Sequence, residues 1–148
     1  MTGNAKSIPS RGLAPVIVFT LAYLAAAIIG TLATGNGEFL IYIGVMAVLI
    51  GVVGYVHLRV TLTTGALWAL SIWGALHMAG GLVPVPESWP INGDIRALYS
   101  WWIIPDRLKY DHVVHAYGFG TTTWVCWQCL KSGLRKLTPD PKPTFGLL

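Results

Sequence analysis

Residues 14–33 read APVIVFTLAYLAAAIIGTLA, an unbroken run without a charge. At 1.5 Å per residue, a helix of about twenty residues covers about 30 Å, the thickness of a bilayer's hydrocarbon core. Lys6 and Arg11 precede the run. A cleaved secretory leader would have a shorter apolar core and a small-residue cleavage site, so this run reads as an uncleaved span. Three more follow. Residues 39–56 are entered through the turn cluster Thr-Gly-Asn-Gly at 34–37. Residues 63–83 stop at Pro84 and Pro86, and residues 112–130 are closed by Lys131 and Gly133. The expectation is one all-α integral membrane domain, a bundle of four transmembrane helices.

Composition agrees. Of 148 residues, 54% are hydrophobic and only 11% are charged. Soluble domains carry about 25% charged residues, so this chain lacks the charge to wet a surface. The net charge of +4 does not point to nucleic acid, because the basic residues flank apolar runs and form no stripe. They read as topology determinants facing anionic lipid. With both termini in the cytoplasm, Lys6, Arg11, Arg59, Lys131, Arg135, Lys136 and Lys142 lie inside. Only Arg96, Arg107 and Lys109 then lie outside, together with Glu38, Glu87, Asp94, Asp106 and Asp111. Trp89, Trp101 and Trp102 would form an outer aromatic belt, and Trp68, Trp124 and Trp127 an inner one.

The long connection, residues 84–110, divides in two. Its first part is Pro/Gly-rich loop. Residues 94–104 carry Ile95, Leu98, Tyr99 and Trp101 to Ile104, with Asp94 as an N-cap and Pro105 as a stop. This spacing predicts a short amphipathic helix lying in the headgroup region. Small residues at four-residue intervals, Ala22, Ala26 and Gly30 in the first span and Ala116 and Gly120 in the fourth, predict close helix packing.

Ionisable groups are costly in lipid and usually mark a site. Asp111 and His115 share one helical face at i, i+4 spacing, at the outer start of the fourth span. His77 lies about 9 Å below the outer end of the third span, at a matching depth. Glu38 stands at the outer start of the second, and His57 lies at the opposite face. Two imidazoles and a carboxylate are a ligand set for zinc or non-haem iron, so His77, Asp111 and His115 are the candidate metal ligands. Glu38 would be a base for a metal-bound water attacking a lipid headgroup or similar substrate, with Arg107 or Lys109 as electrophilic partner. The same residues also fit a packing network. In that reading Asp111 favours the helix dipole, His115 bonds to Asp111, and His77 bonds to a carbonyl. Gly74, Gly80 and Gly81 clear space around His77 for either a ligand or a helix. Cys126 and Cys129 form a lone C-x-x-C, half a metal site, and read as free thiols. Thr121, Thr122 and Thr123 are expected to bond back to their own helix.

His77, Gly80 and Gly81, followed by Tyr110, Asp111, His115 and Gly118, resemble the YjdF-like family of bacterial inner-membrane proteins over residues 65–130. Ala116 stands where that family commonly has an aromatic residue. The resemblance implies a multi-pass protein of the bacterial cytoplasmic membrane and singles out the same residues, without supplying a reaction. Two functions remain open from sequence. One is an outward-facing His/Asp site for a divalent metal or polar ligand. The other is an accessory subunit of a larger membrane complex, or of a homo-oligomer, holding lipid, pigment or neighbouring subunits.

Overall fold

A computed structural model describes residues 10–35 and 37–137. The architecture is helical: α1 (Ser10–Thr34), α2 (Gly37–Val60), α3 (Thr64–Leu82) and α4 (Tyr110–Leu137). Between α3 and α4 lie a single 3-10 turn (Leu98–Ser100) and a two-stranded hairpin, β1 (Trp102–Ile104) and β2 (Leu108–Lys109). α3 is the central helix, packed on α1 at one side and α4 at the other, while α2 lies mainly against α1.

Among the described helices, α1 and α2 are long and apolar enough to cross a membrane. Only 17% and 11% of their apolar stretches are buried within the chain, whereas the core helix of a soluble protein would be mostly buried. Val18, Ile29, Leu32, Ile41, Val48 and Leu58 all stand exposed. α3 and α4 do not meet the same test, because Ser71, three histidines, Asp111 and the basic residues after 130 dilute their apolar runs.

The helix ends differ from the sequence reading. α2 continues through His57 and Arg59 to Val60. There Thr61 turns left-handed (φ 57°) and its N–H reaches the His57 carbonyl at 2.8 Å. Lys131 and Gly133 do not close α4, which runs on to Leu137. Leu, Lys and Arg favour helix, and they outweigh the roughly 1 kcal/mol that one glycine costs. The α2–α3 connection is fastened to α4. Thr63 caps α3 by accepting the Ala66 N–H at 3.3 Å. Gln128 of α4 accepts the Thr63 N–H at 2.9 Å and donates to its hydroxyl at 3.1 Å.

The amphipathic helix expected over 94–104 is absent. Asp94 lies in a bend, and residues 102–104 are a strand. Trp and Ile favour extended backbone, and Pro105 followed by left-handed Asp106 (φ 57°) makes the reversal. The loop is a small ladder: Pro84 bridges Ala97, Ile91 bridges Trp101, and Trp89 lies 4.4 Å from Trp101 between ring centroids. The Tyr110 N–H then bonds to the Trp101 carbonyl, so the hairpin leads directly into α4.

The small-residue stripes face mainly outward, except that Gly30 is half-buried beside Leu82. Ala22, Ala26, Ala116 and Gly120 are exposed, whereas Ala27 and Thr31 of α1, and Val114, Gly118 and Thr121 of α4, are buried. Other residues set the packing. Thr20 and Ser71 hydroxyls join α1 to α3 at 2.6 Å. Trp73 lies against Gly118, and Phe39 against Gly81, so closely that a Cβ at either glycine would overlap the ring.

Candidate functional site

The N-terminal ends of α2 and α4 and the C-terminal end of α3 meet beside the loop, where they line a cavity of about 300 Å³. Phe39 and Tyr42 come from α2, Leu76, His77 and Gly80 from α3, Tyr110, Asp111 and Val114 from α4, and Ile95 and Tyr99 from the loop. Its size is at the lower end of the range for small-molecule sites.

Three of the candidate residues come together here. Asp111 Oδ1 lies 3.1 Å from His115 Nδ1, one turn along α4. That nitrogen also lies 2.9 Å from the Asp111 carbonyl. The His115 ring stands edge-on to His77, with centroids 6.1 Å apart and planes at 74°. Asp111, His115 and His77 therefore form a file running from the first turn of α4 across to α3. His77 and Asp111 line the cavity, and His115 stands beside it. A carboxylate against an imidazole orients the ring and fixes which nitrogen faces the next group, which suits hydrogen bonding to a ligand or proton transfer. The His115–Asp111 pair is itself half-exposed, at 51% and 38%, and so adds little stability.

Tyr110, quoted in the motif but given no role, helps build the wall. Its hydroxyl donates to the Leu76 carbonyl at 2.9 Å, holding α4 on α3. Burial pushes its phenol up from the ordinary 10.0. The glycines around His77 are filled by protein: Gly74 by the Tyr23 hydroxyl, Gly80 by Tyr110, Gly81 by Phe39. They serve helix packing and leave the cavity above them.

Other candidates lie elsewhere. His112 accepts the Lys109 N–H at 3.3 Å, reaching back over the start of α4 as a capping residue does. The Lys109 ammonium sits over Trp102, 5.8 Å from the ring centre, and Arg107 is exposed. Neither lines the cavity. Glu38 belongs to the first turn of α2, and its side chain lies outside the described residues. Among the described residues, no group of three or more His, Cys, Asp or Glu is placed to hold a metal ion. Cys126 and Cys129 are free thiols. Thr123 bonds back to the Phe119 carbonyl at 2.8 Å.

One histidine set aside from sequence proves unusual. His57 is 9% exposed, and among the described residues neither ring nitrogen has a hydrogen-bond partner. The available signal was simply an imidazole inside an apolar run. Compared with protein-family profiles, curated proteins and solved structures, the chain matches none.

Proposed function

We propose that this chain is a four-span protein of the bacterial cytoplasmic membrane that binds a small polar ligand at its outer end. Both termini lie inside in this reading, and the chain is a YjdF-like protein. The length, apolarity and shallow burial of α1 and α2 support the membrane placement. α3 and α4 complete the bundle, with His77 of α3 turned toward His115 of α4.

The observation that carries the function is the Asp111–His115–His77 file reaching a cavity rimmed by Tyr42, Tyr99 and Tyr110. His77 and the tyrosines orient the ligand, and Asp111 with His115 holds the relay behind it. A zinc or iron ion is the narrower form of the same reading. His77 and His115 would be its nitrogen ligands, and Asp111 would turn from His115 to join them.

Native mass spectrometry and elemental analysis of gently extracted protein test this, wild type beside His77→Ala and His115→Ala. The expected result is a bound species lost from both variants while helical content is kept. A wild type that carries nothing, or that keeps its ligand through both substitutions, contradicts it.

A second reading rests on the outward stripes. Ala22 and Ala26 on α1, and Ala116 and Gly120 on α4, lie exposed where helices of another subunit could approach closely. An accessory subunit would migrate with a large complex in mild detergent, and Ala22→Leu with Gly120→Leu would release it. Unchanged migration of the double variant removes this reading.

A further inference from the structure

Aromatic side chains converge on one step of α3. Phe39 lies against Gly81, while Tyr110 Cε1 and Tyr99 Cβ come within 3.4 and 3.6 Å of a Cβ built on Gly80. Tyr42 follows Phe39 on α2, with ring centroids 5.6 Å apart. All four line the cavity beside His77 and Asp111. They arrive from three parts of the chain: α2, the 3-10 turn and α4. Two adjacent glycines leave room for side chains from these separate elements to close on one place.

Charge on this wall is one-sided. Among the described residues, Asp111 is the only acid lining the cavity, and no lysine or arginine lines it. Asp111 meets His115 through Oδ1 yet its side chain is 38% exposed, so the pair leaves part of it open. The helix starts do not reverse this sign. α2 and α4 each carry an acid in the first turn, Glu38 and Asp111, which offsets the partial positive charge there.

An aromatic ring is negative over its face and attracts a cation, most strongly one that sheds its water easily. An anion would meet Asp111 with no basic residue to hold it. A neutral ligand would leave the carboxylate unmatched. A cation clothed in alkyl groups suits both parts of the wall, its charge the carboxylate and its alkyl groups the rings.

We infer that the ligand of the His77 cavity is an alkylated ammonium ion of the choline type, its charge met by Asp111 and its methyl groups by the rings of Phe39, Tyr42, Tyr99 and Tyr110. The inference rests on the reading of this cavity as a ligand site. A free solute and a phospholipid headgroup can both present this group.

The protein, purified in a maltoside detergent, is titrated with choline chloride by calorimetry. Dimethylbutanol, the neutral carbon isostere of choline, and acetate run in parallel series. The expected result is one choline per chain, with both controls at least about tenfold weaker. Asp111→Asn should weaken choline about tenfold and leave the isostere unchanged. Tyr42→Leu, at an exposed position on the rim, should weaken choline about threefold. Both variants should keep the wild-type circular dichroism. Dioleoyl phosphatidylcholine is then added under native mass spectrometry. Lipid that is retained and displaced by choline assigns the group to a headgroup, and choline bound without retained lipid assigns it to a free solute. Isostere or acetate binding as tightly as choline overturns the inference, as does choline binding unchanged in both variants. If no probe binds while a copurified species is still lost from His77→Ala, the ammonium assignment falls and the ligand site stands. If no probe binds and nothing copurifies, both fall.

Discussion

The α1–α2 pair and the α3–α4 pair are built from similar proportions of Leu, Ala and Gly, yet they solve different problems. α1 and α2 turn most of their apolar surface away from the rest of the chain. α3 and α4 turn their distinctive residues toward each other: Trp73 onto Gly118, Tyr110 onto the Leu76 carbonyl, Gln128 onto Thr63, and His77 toward His115. The first pair presents exposed apolar surface long enough to cross a membrane. The second supplies fixed geometry, which a ligand site needs. An apolar helix in lipid gains nothing from rotation in one direction over another. The second pair has its rotation set by hydrogen bonds and by close ring–glycine contacts.

The largest expected effect breaks this second pair. Gly118→Val drives a branched side chain into the Trp73 indole, and overpacking of this kind costs about 1–3 kcal/mol. Gly120→Val, two residues on and exposed with nothing near its Cβ, should stay within about 0.5 kcal/mol of wild type. Thermal unfolding in detergent measures both. Similar melting temperatures would mean that the inner face of α4 is assigned wrongly.

Next is Tyr110→Phe, which removes the bond to Leu76 and should cost about 1 kcal/mol. Its pH dependence sharpens the test. Because burial raises the phenol above 10.0, the unfolded chain ionises first. Stability from this group is therefore complete below pH 10 and declines as pH rises through the raised value. An alkaline loss smaller in Tyr110→Phe than in wild type is the expected pattern in unfolding curves at graded pH.

The smallest stability effect belongs to the site itself. Asp111→Asn should change stability by less than about 1 kcal/mol, because its pair with His115 is half-exposed. It should nevertheless weaken ligand retention, as read by native mass spectrometry. A large stability loss with ligand binding intact would make the pair a packing device.

The four helices were legible because long apolar runs bounded by Gly, Pro and charge mark where a helix begins and ends. Asp111 and His115 were legible because i, i+4 spacing fixes their neighbourhood. Helix rotation was not. Ala22 and Ala26 look like a packing seam, yet Thr20, Tyr23 and Ala27 carry the inner face of α1, because in an all-apolar helix periodicity marks no side. The hairpin was missed for a related reason. Trp101 to Ile104 satisfies an amphipathic helical pattern, and the turn at Pro105 and Asp106 decides for extended pairing. His57 was set aside on depth alone, which says nothing of whether its nitrogens find partners.

The most direct test asks whether the hairpin and the far end of α4 lie on opposite sides of a membrane. Cys126 and Cys129 are first replaced by serine, and Ile104→Cys and Arg135→Cys, both at exposed positions, are then compared in intact cells. A membrane-impermeant maleimide should label Ile104→Cys from outside and reach Arg135→Cys only after the cells are opened. Labelling of both from the same side would contradict a fourth span and, with it, the outward-facing site.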